Sequence, residues 1–150
     1  MIIFQPINLQ ELSKFGKSYN HKRIAKCPRC NSRKIWGHGY VGRYFDEFIY
    51  ALYLKCWRCA DCGCVICIRP EGYFSRHHTT ITEIFKSIKY RIETGIWIRG
   101  PDLSRQRQGH WLRSLKKNIS IFLGFDRIEN ILDGFQQLIL ADRCPVIRST

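Results

Sequence analysis

No apolar run in this 150-residue chain is long enough to cross a bilayer. The longest, Phe48 to Leu54, has seven residues, whereas a spanning helix needs about 20. The opening Met1-Ile-Ile-Phe-Gln-Pro lacks the basic start and extended apolar stretch of a secretory signal. The expectation is a cytoplasmic protein that makes no use of a membrane. Internal repeats and low-complexity tracts are missing. So are a Ser/His/Asp arrangement and a glycine loop able to cradle a phosphate, and no catalytic activity is expected. Acids are scarce, with 12 Asp+Glu against 25 Lys+Arg. Between Leu103 and Phe125 there is no acid at all.

The remaining balance is a net charge of +13, unevenly spread. Residues 1–26 carry +4, residues 27–70 carry +4, residues 71–120 carry +6 and residues 121–150 carry −1. A basic field of this size favours a polyanion, because docking releases condensed counterions. Double-stranded DNA is the expected partner.

The chain holds 8 cysteines. Seven lie between Cys27 and Cys67, and the last is Cys144. In a reducing compartment such a cluster points to a metal more than to disulfides. Cys27-Pro-Arg-Cys30 and Cys59-Ala-Asp-Cys62-Gly63 are two Cys-x-x-Cys pairs able to offer four thiolates to tetrahedral Zn²⁺. Cys56/Cys59 and Cys64/Cys67 share that spacing. The residue after each second cysteine separates the alternatives. A metal knuckle turns sharply there, usually at positive φ, which glycine adopts freely and asparagine tolerates. Gly63 follows Cys62 and Asn31 follows Cys30, whereas Ala60 follows Cys59 and Ile68 follows Cys67. The expected ligands are therefore Cys27, Cys30, Cys59 and Cys62, around one structural zinc. Four thiolates leave no open position for catalysis. Zinc on four thiolates carries −2, so the basic field survives. Cys56, Cys64, Cys67 and Cys144 read as small buried hydrophobes, with a second zinc or a cluster as the alternative. His38 reads as a turn or surface residue.

Along the chain, residues 1–26 read as a basic N-terminal arm, with a short strand at Ile2–Phe4 and a helix face of Leu9, Leu12 and Phe15. Residues 27–70 read as strands and tight turns, residues 71–78 as a linker, residues 79–141 as a helical domain and residues 142–150 as an extended tail. Ile81, Ile84, Phe85, Ile88 and Ile92 recur at helical period over 80–94, with a Thr80/Glu83 capping box and a Gly95 stop. A nine-residue connector, Gly95 to Leu103, follows, with room for a short turn at Ile96–Arg99. A second helix is predicted over 104–118 with Ser104 as N-cap and an apolar arc of Trp111, Leu112, Leu115 and Ile119 that also takes in Gln108. A third begins near Asp126, with Ile128, Ile131, Leu132, Phe135, Leu138 and Ile139 on its apolar face.

On the second helix, Arg105, Gln106, His110, Arg113, Lys116 and Lys117 fall on the side away from the apolar arc. Gln106, His110, Arg113 and Lys117 form one stripe. Arginine can pair bidentately with guanine and glutamine with adenine in a major groove, so this helix is the expected recognition element. Gly109 would let it approach a backbone closely. Lys22 and Arg23 in the arm are expected to grip phosphates, and Arg76 in the linker, with Tyr73, Phe74, His77 and His78, suits either nucleic-acid contact or a docking joint between two subdomains.

The run Cys-Pro-x-Cys, hairpin, Trp57-Arg58-Cys59-Ala-Asp-Cys62-Gly63, proline, helices resembles the zinc ribbon plus helix-turn-helix of insertion-sequence transposases and their small accessory proteins. Arg69-Pro-Glu-Gly-Tyr-Phe-Ser-Arg76 and Leu103-Ser-Arg-Gln-Arg-Gln-Gly-His-Trp-Leu112 are similar to short bacterial proteins of mobile elements. The resemblance covers residues 27–120. It implies a nucleoid-associated protein that assists a transposase, an integrase or another nucleic-acid enzyme. Transposase chemistry itself needs carboxylates holding two Mg²⁺ in a larger α/β body, and the acids here are scattered.

The expected fold class is thus α+β, a small β-hairpin zinc ribbon followed by a three-helix, helix-turn-helix-like bundle. The expected function is zinc-dependent DNA binding. Two rivals remain. One is a protein–protein adaptor using the ribbon and the acidic, apolar final helix. The other is an RNA binder stacking bases on Trp36, Tyr40 and Tyr44.

Overall fold

A computed structural model describes residues 1–124 and 130–147. Its α+β architecture contains four strands and four α-helices. The chain divides into two compact units, Met1–His78 and Thr79–Thr150.

The first unit is built on one sheet: β1 (Ile2–Gln5), β2 (Ile35–Arg43), β3 (Leu52–Cys59) and β4 (Val65–Pro70), in the order β1-β4-β3-β2. β3 runs antiparallel to both β2 and β4, while β1 joins β4 in parallel. Period-two patterning explains β3. Leu52, Leu54 and Cys56 are buried and alternate with Tyr53, Lys55 and Trp57. Between the pairs Gly37↔Trp57 and Tyr40↔Lys55, β2 holds one residue more than β3, a bulge with Gly39 at φ +94. His38 is exposed there.

Residues 1–26 do not form a separate arm. β1 completes the sheet, and α1 (Leu9–Phe15) buries Leu12 in the same core as Ile24, Ile35, Leu54, Ile66 and Ile68. Full burial of one such leucine contributes about 1.5–3 kcal/mol. Asn8 caps α1, accepting from the amides of Gln10 and Glu11. Phe15, expected on the buried face, is exposed because the helix ends there. Residues 71–78 also belong to this core rather than to a free linker: Tyr73 packs edge-on against Phe45 at 4.9 Å, and His77 is buried.

Cys56 and Cys67 stand directly opposite on β3 and β4, with Cα atoms 4.2 Å apart, and form a disulfide. The reading of both as unbonded hydrophobes is therefore corrected. Cys64 is half-buried, not core. Cys144 belongs to an exposed residue, although its sulfur donates to the Val146 carbonyl at 3.0 Å.

The second unit packs α2 (Ile81–Thr94), α3 (Arg105–Phe122) and α4 (Ile131–Leu140). Thr80 accepts from the Glu83 amide, and Gly95 closes α2 at φ +75, returning its N–H to the Arg91 carbonyl. Ile84 and Ile88 are buried, whereas Ile92 is exposed. Residues 96–99 contain no helical turn. Ser104 caps α3, which continues four residues past the expected end at Asn118. Its buried face is Gln108, Trp111, Ser114, Leu115, Asn118 and Ile119, with Leu112 half-buried. Asn130 caps α4, whose Phe135 and Leu138 are buried. Asp126 and Ile128, expected at the start of this helix, lie outside the described residues.

Gln108 explains the long connector. Its amide donates to the carbonyls of Ile98 and Leu103, both at 2.8 Å, and accepts from the Ser87 hydroxyl at 2.7 Å. One buried side chain thereby ties the connector to both helices. The tail is fixed as well. Asn118 donates to the carbonyls of Cys144 and Pro145 at 3.2 and 3.0 Å, the Ile147 amide donates to Ser114 Oγ at 3.1 Å, and Val146 is buried.

Candidate functional site

Two knuckles of matching construction carry the cysteines. In the first, the Asn31 amide donates to the Cys27 carbonyl at 2.8 Å and the Cys27 amide to the Ser32 carbonyl at 2.8 Å. In the second, Gly63 donates to the Cys59 carbonyl at 3.1 Å and Cys59 to the Cys64 carbonyl at 3.0 Å. Asn31 and Gly63 occupy the same left-handed region, at φ +60 and +67. The Ala60 amide donates to the Lys34 carbonyl at 2.9 Å and joins the two loops.

This geometry brings the four expected sulfurs together. Cys27 Sγ lies 3.6 Å from Cys62 Sγ and Cys30 Sγ lies 3.5 Å from Cys59 Sγ. All four ligand atoms fall within 4.8 Å of one another, so Cys27, Cys30, Cys59 and Cys62 could hold one metal ion. A tetrahedron with metal–sulfur bonds of about 2.3 Å has edges of about 3.8 Å, which the two shortest separations approach. Cys27 and Cys59 are buried, Cys62 is half-buried and Cys30 exposed. The ion would therefore sit at the edge of the core.

The four thiols do not ionise alike. At Cys27 burial opposes the charge, but the amides of Cys30 and Arg29 outweigh it and bring the thiol down to about 6. The Cys62 amide likewise draws Cys59 below the ordinary thiol range. The Ser32 amide favours a thiolate at Cys30, yet the Cys62 sulfur and burial oppose it, and that thiol is pushed up to about 12. Thiolates at Cys27 and Cys59 form more readily, while Cys30 and Cys62 resist. A divalent cation removes that resistance.

Sequence reasoning missed the brace outside the knuckles. Ser32 donates to Asp61 Oδ2 at 2.6 Å, and Lys34 Nζ lies 3.3 Å from Asp61 Oδ1. The Ser32 hydroxyl, then the Lys34 ammonium, hold the Asp61 carboxyl below its usual range. The signal was an acid inside the second Cys-x-x-Cys and a serine two residues past the first.

The basic residues separate into two kinds. On α3, Arg105, Gln106, Arg113, Lys116 and Lys117 are exposed. Their exposure follows from the burial of Trp111, Leu115 and Ile119 on the opposite side. His110 is different: it is half-buried, and its Nε2 meets the Ile147 carbonyl at 3.1 Å. A Cβ at Gly109 would meet Arg113 Nη1 at 3.6 Å and Trp97 at 3.9 Å, both ordinary contacts. In the first unit Lys22 and Arg76 are exposed. Arg23 is exposed too, and its guanidinium donates to the Ile35 carbonyl at 2.7 Å and lies 6.0 Å from the Trp57 ring centre. Trp36, Tyr40 and Tyr44 are all exposed, and Tyr40 also donates to the Lys17 carbonyl and carries the Lys55 ammonium 4.3 Å from its ring centre.

The chain matches no family model, no curated protein and no solved structure. No helix among the described residues is long and apolar enough to cross a membrane.

Proposed function

We propose that the chain is a DNA-binding protein whose first unit is stiffened by one structural zinc ion and whose α3 enters a duplex groove. The observation that carries this reading is the acid-free, exposed sector of α3, holding Arg105, Gln106, Arg113, Lys116 and Lys117. A merely solvated helix face usually mixes both signs. Arg113 and Gln106 carry the donors that read base edges, and Arg105, Lys116 and Lys117 neutralise phosphates. Zinc is the ion that suits four thiolates at tetrahedral spacing. Its role is to hold two loops that have little apolar packing of their own. The resemblance to mobile-element proteins makes assistance to a transposase or integrase the natural setting.

Binding to duplex DNA across a salt series tests this. Three cations on three phosphates give log K against log salt a slope of about −2.7. A flat response, or no binding at about 50 mM salt, would remove the proposal.

A second reading has its own observation. Ile121, Phe122, Ile139 and Leu140 are exposed at the ends of α3 and α4, Leu140 at 87%. Large apolar groups left in water favour a protein partner. Co-purification of a partner that survives nuclease and high salt would select the adaptor role.

A further inference from the structure

A cleft in the second unit, where α2 ends and α3 begins, has no place in the reading above. It encloses about 590 Å³, and Arg91, Trp97, Ile98, Arg99, Leu103 and Arg105 are among the residues that line it. That volume falls within the usual range for small-ligand sites, about 300–1,000 Å³. Three guanidinium groups line it and no carboxylate does. Glu93 lies 3.8 Å from the Lys89 ammonium, and Asp102 is exposed and outside the lining.

Three like charges around one cavity repel each other unless an anion joins them. Phosphate is the anion that guanidinium forks match best. The other lining groups ask for more than a bare phosphate. The Trp97 indole is half-buried, with the Arg91 guanidinium 5.0 Å from its ring centre. Ile98 and Leu103 add apolar wall, and Gln108 pins both of their carbonyls, so the wall is fixed before any ligand arrives. A flat aromatic surface beside arginines suits a planar base attached to its phosphate.

We propose that this cleft is a nucleoside phosphate site, in which Arg91, Arg99 and Arg105 hold the phosphate and Trp97 stacks the base. The ligand is either a free nucleotide or the 5′-phosphorylated end of a DNA strand, two sources of the same chemistry. The site shares Arg105 with the proposed duplex-facing side of α3, whereas Arg91, Trp97 and Arg99 belong to the cleft alone.

The test uses the full-length, zinc-loaded chain. Its indole N–H resonances are followed by NMR, with Trp97 assigned through Trp97→Phe. The probes are adenosine 5′-monophosphate, adenosine, inorganic phosphate and a 5′-phosphorylated oligonucleotide. The monophosphate is expected to shift Trp97 and to bind at least about tenfold more tightly than adenosine or phosphate. The Arg91→Ala/Arg99→Ala double variant should weaken it by about tenfold or more, while Lys86→Ala, an exposed α2 residue outside the cleft, should not. Amide spectra of each variant report that the helices are intact. A shift with the oligonucleotide alone assigns the strand end, and a shift with the monophosphate alone assigns the free nucleotide. If neither probe shifts Trp97, or if Lys86→Ala weakens binding as much as the double variant, the site is refuted. Duplex binding lost in Arg113→Ala with the Trp97 response intact would separate the two proposals.

Discussion

Gln108 ties the connector of the second unit to α2 and α3, and its replacement has a calculable effect. It makes three hydrogen bonds, to Ser87, Ile98 and Leu103, at 2.7–2.8 Å, while 1% exposed. Gln108→Leu fills the space but leaves two carbonyls and a hydroxyl facing an apolar group. Each buried polar group left unpaired costs about 1–3 kcal/mol. The Ser87 hydroxyl can turn back to a carbonyl of its own helix, so the two connector carbonyls dominate, for a loss of about 2–6 kcal/mol. Gln108→Glu is harsher at neutral pH, because a carboxylate cannot donate to either carbonyl. Burial would raise its folded pKa above the ordinary value of about 4.3. The penalty is therefore full above the folded pKa and shrinks as pH falls toward 4.3, where the protonated acid can donate once. A double-mutant cycle with Ser87→Ala should return a coupling of about 1 kcal/mol. Hydrogen exchange of the Leu115 and Ile119 amides isolates the second unit from events in the first. Protection within about 0.5 kcal/mol of the parent for Gln108→Leu, or a Gln108→Glu penalty indifferent to pH, would refute the reasoning.

Gly63→Ala places a side chain at φ +67, costing about 1–2 kcal/mol. Zinc competition assays should show weaker metal retention, with Asn31→Gly at least equal to the parent. Chelation should collapse protection around Cys27 and Cys59 and leave the α2–α3 amides protected. Persistence of the knuckle amides would contradict a structural metal. Burial, with the Lys55 ammonium beside it, holds His21 below its ordinary 6.5. The unfolded chain therefore takes up a proton first, and first-unit stability falls as pH drops from about 6.5 toward the lower folded value. His21→Phe should flatten that part of a thermal-melt pH series. In DNA binding, Arg113→Ala should erode sequence preference, whereas Lys22→Ala should weaken all sequences alike. Equal losses in a competition assay would contradict groove entry.

How much of this was legible in the sequence depended on how far apart the interacting residues lie. α2 announces itself locally: Thr80 caps it, Gly95 ends it, and the spacing of Ile84 and Ile88 sets its buried side. The knuckles are equally local, since positive φ at Asn31 and Gly63 follows from residue type. The parallel seat of β1 beside β4 is set by burial of Ile3 against Ile68 across the intervening chain, which no nearby residue encodes. The Cys56–Cys67 bond depends on the β3–β4 register, and the equal Cys-x-x-Cys spacings around it pulled attention toward metal chemistry. Helical angle put Gln108 on the inner arc, but its three partners became visible only with the connector in place.

The strap formed by Cys144 to Ile147 runs along the His110, Ser114 and Asn118 row of α3. It works as a fence on one flank of the helix. On the DNA-binding proposal, a double helix would reach α3 from the Arg105 and Lys116 side, and the strap would limit the tilt at which the rod is laid into a groove. Cutting the chain between Asp142 and Cys144 would lift that fence and widen the range of admissible tilts.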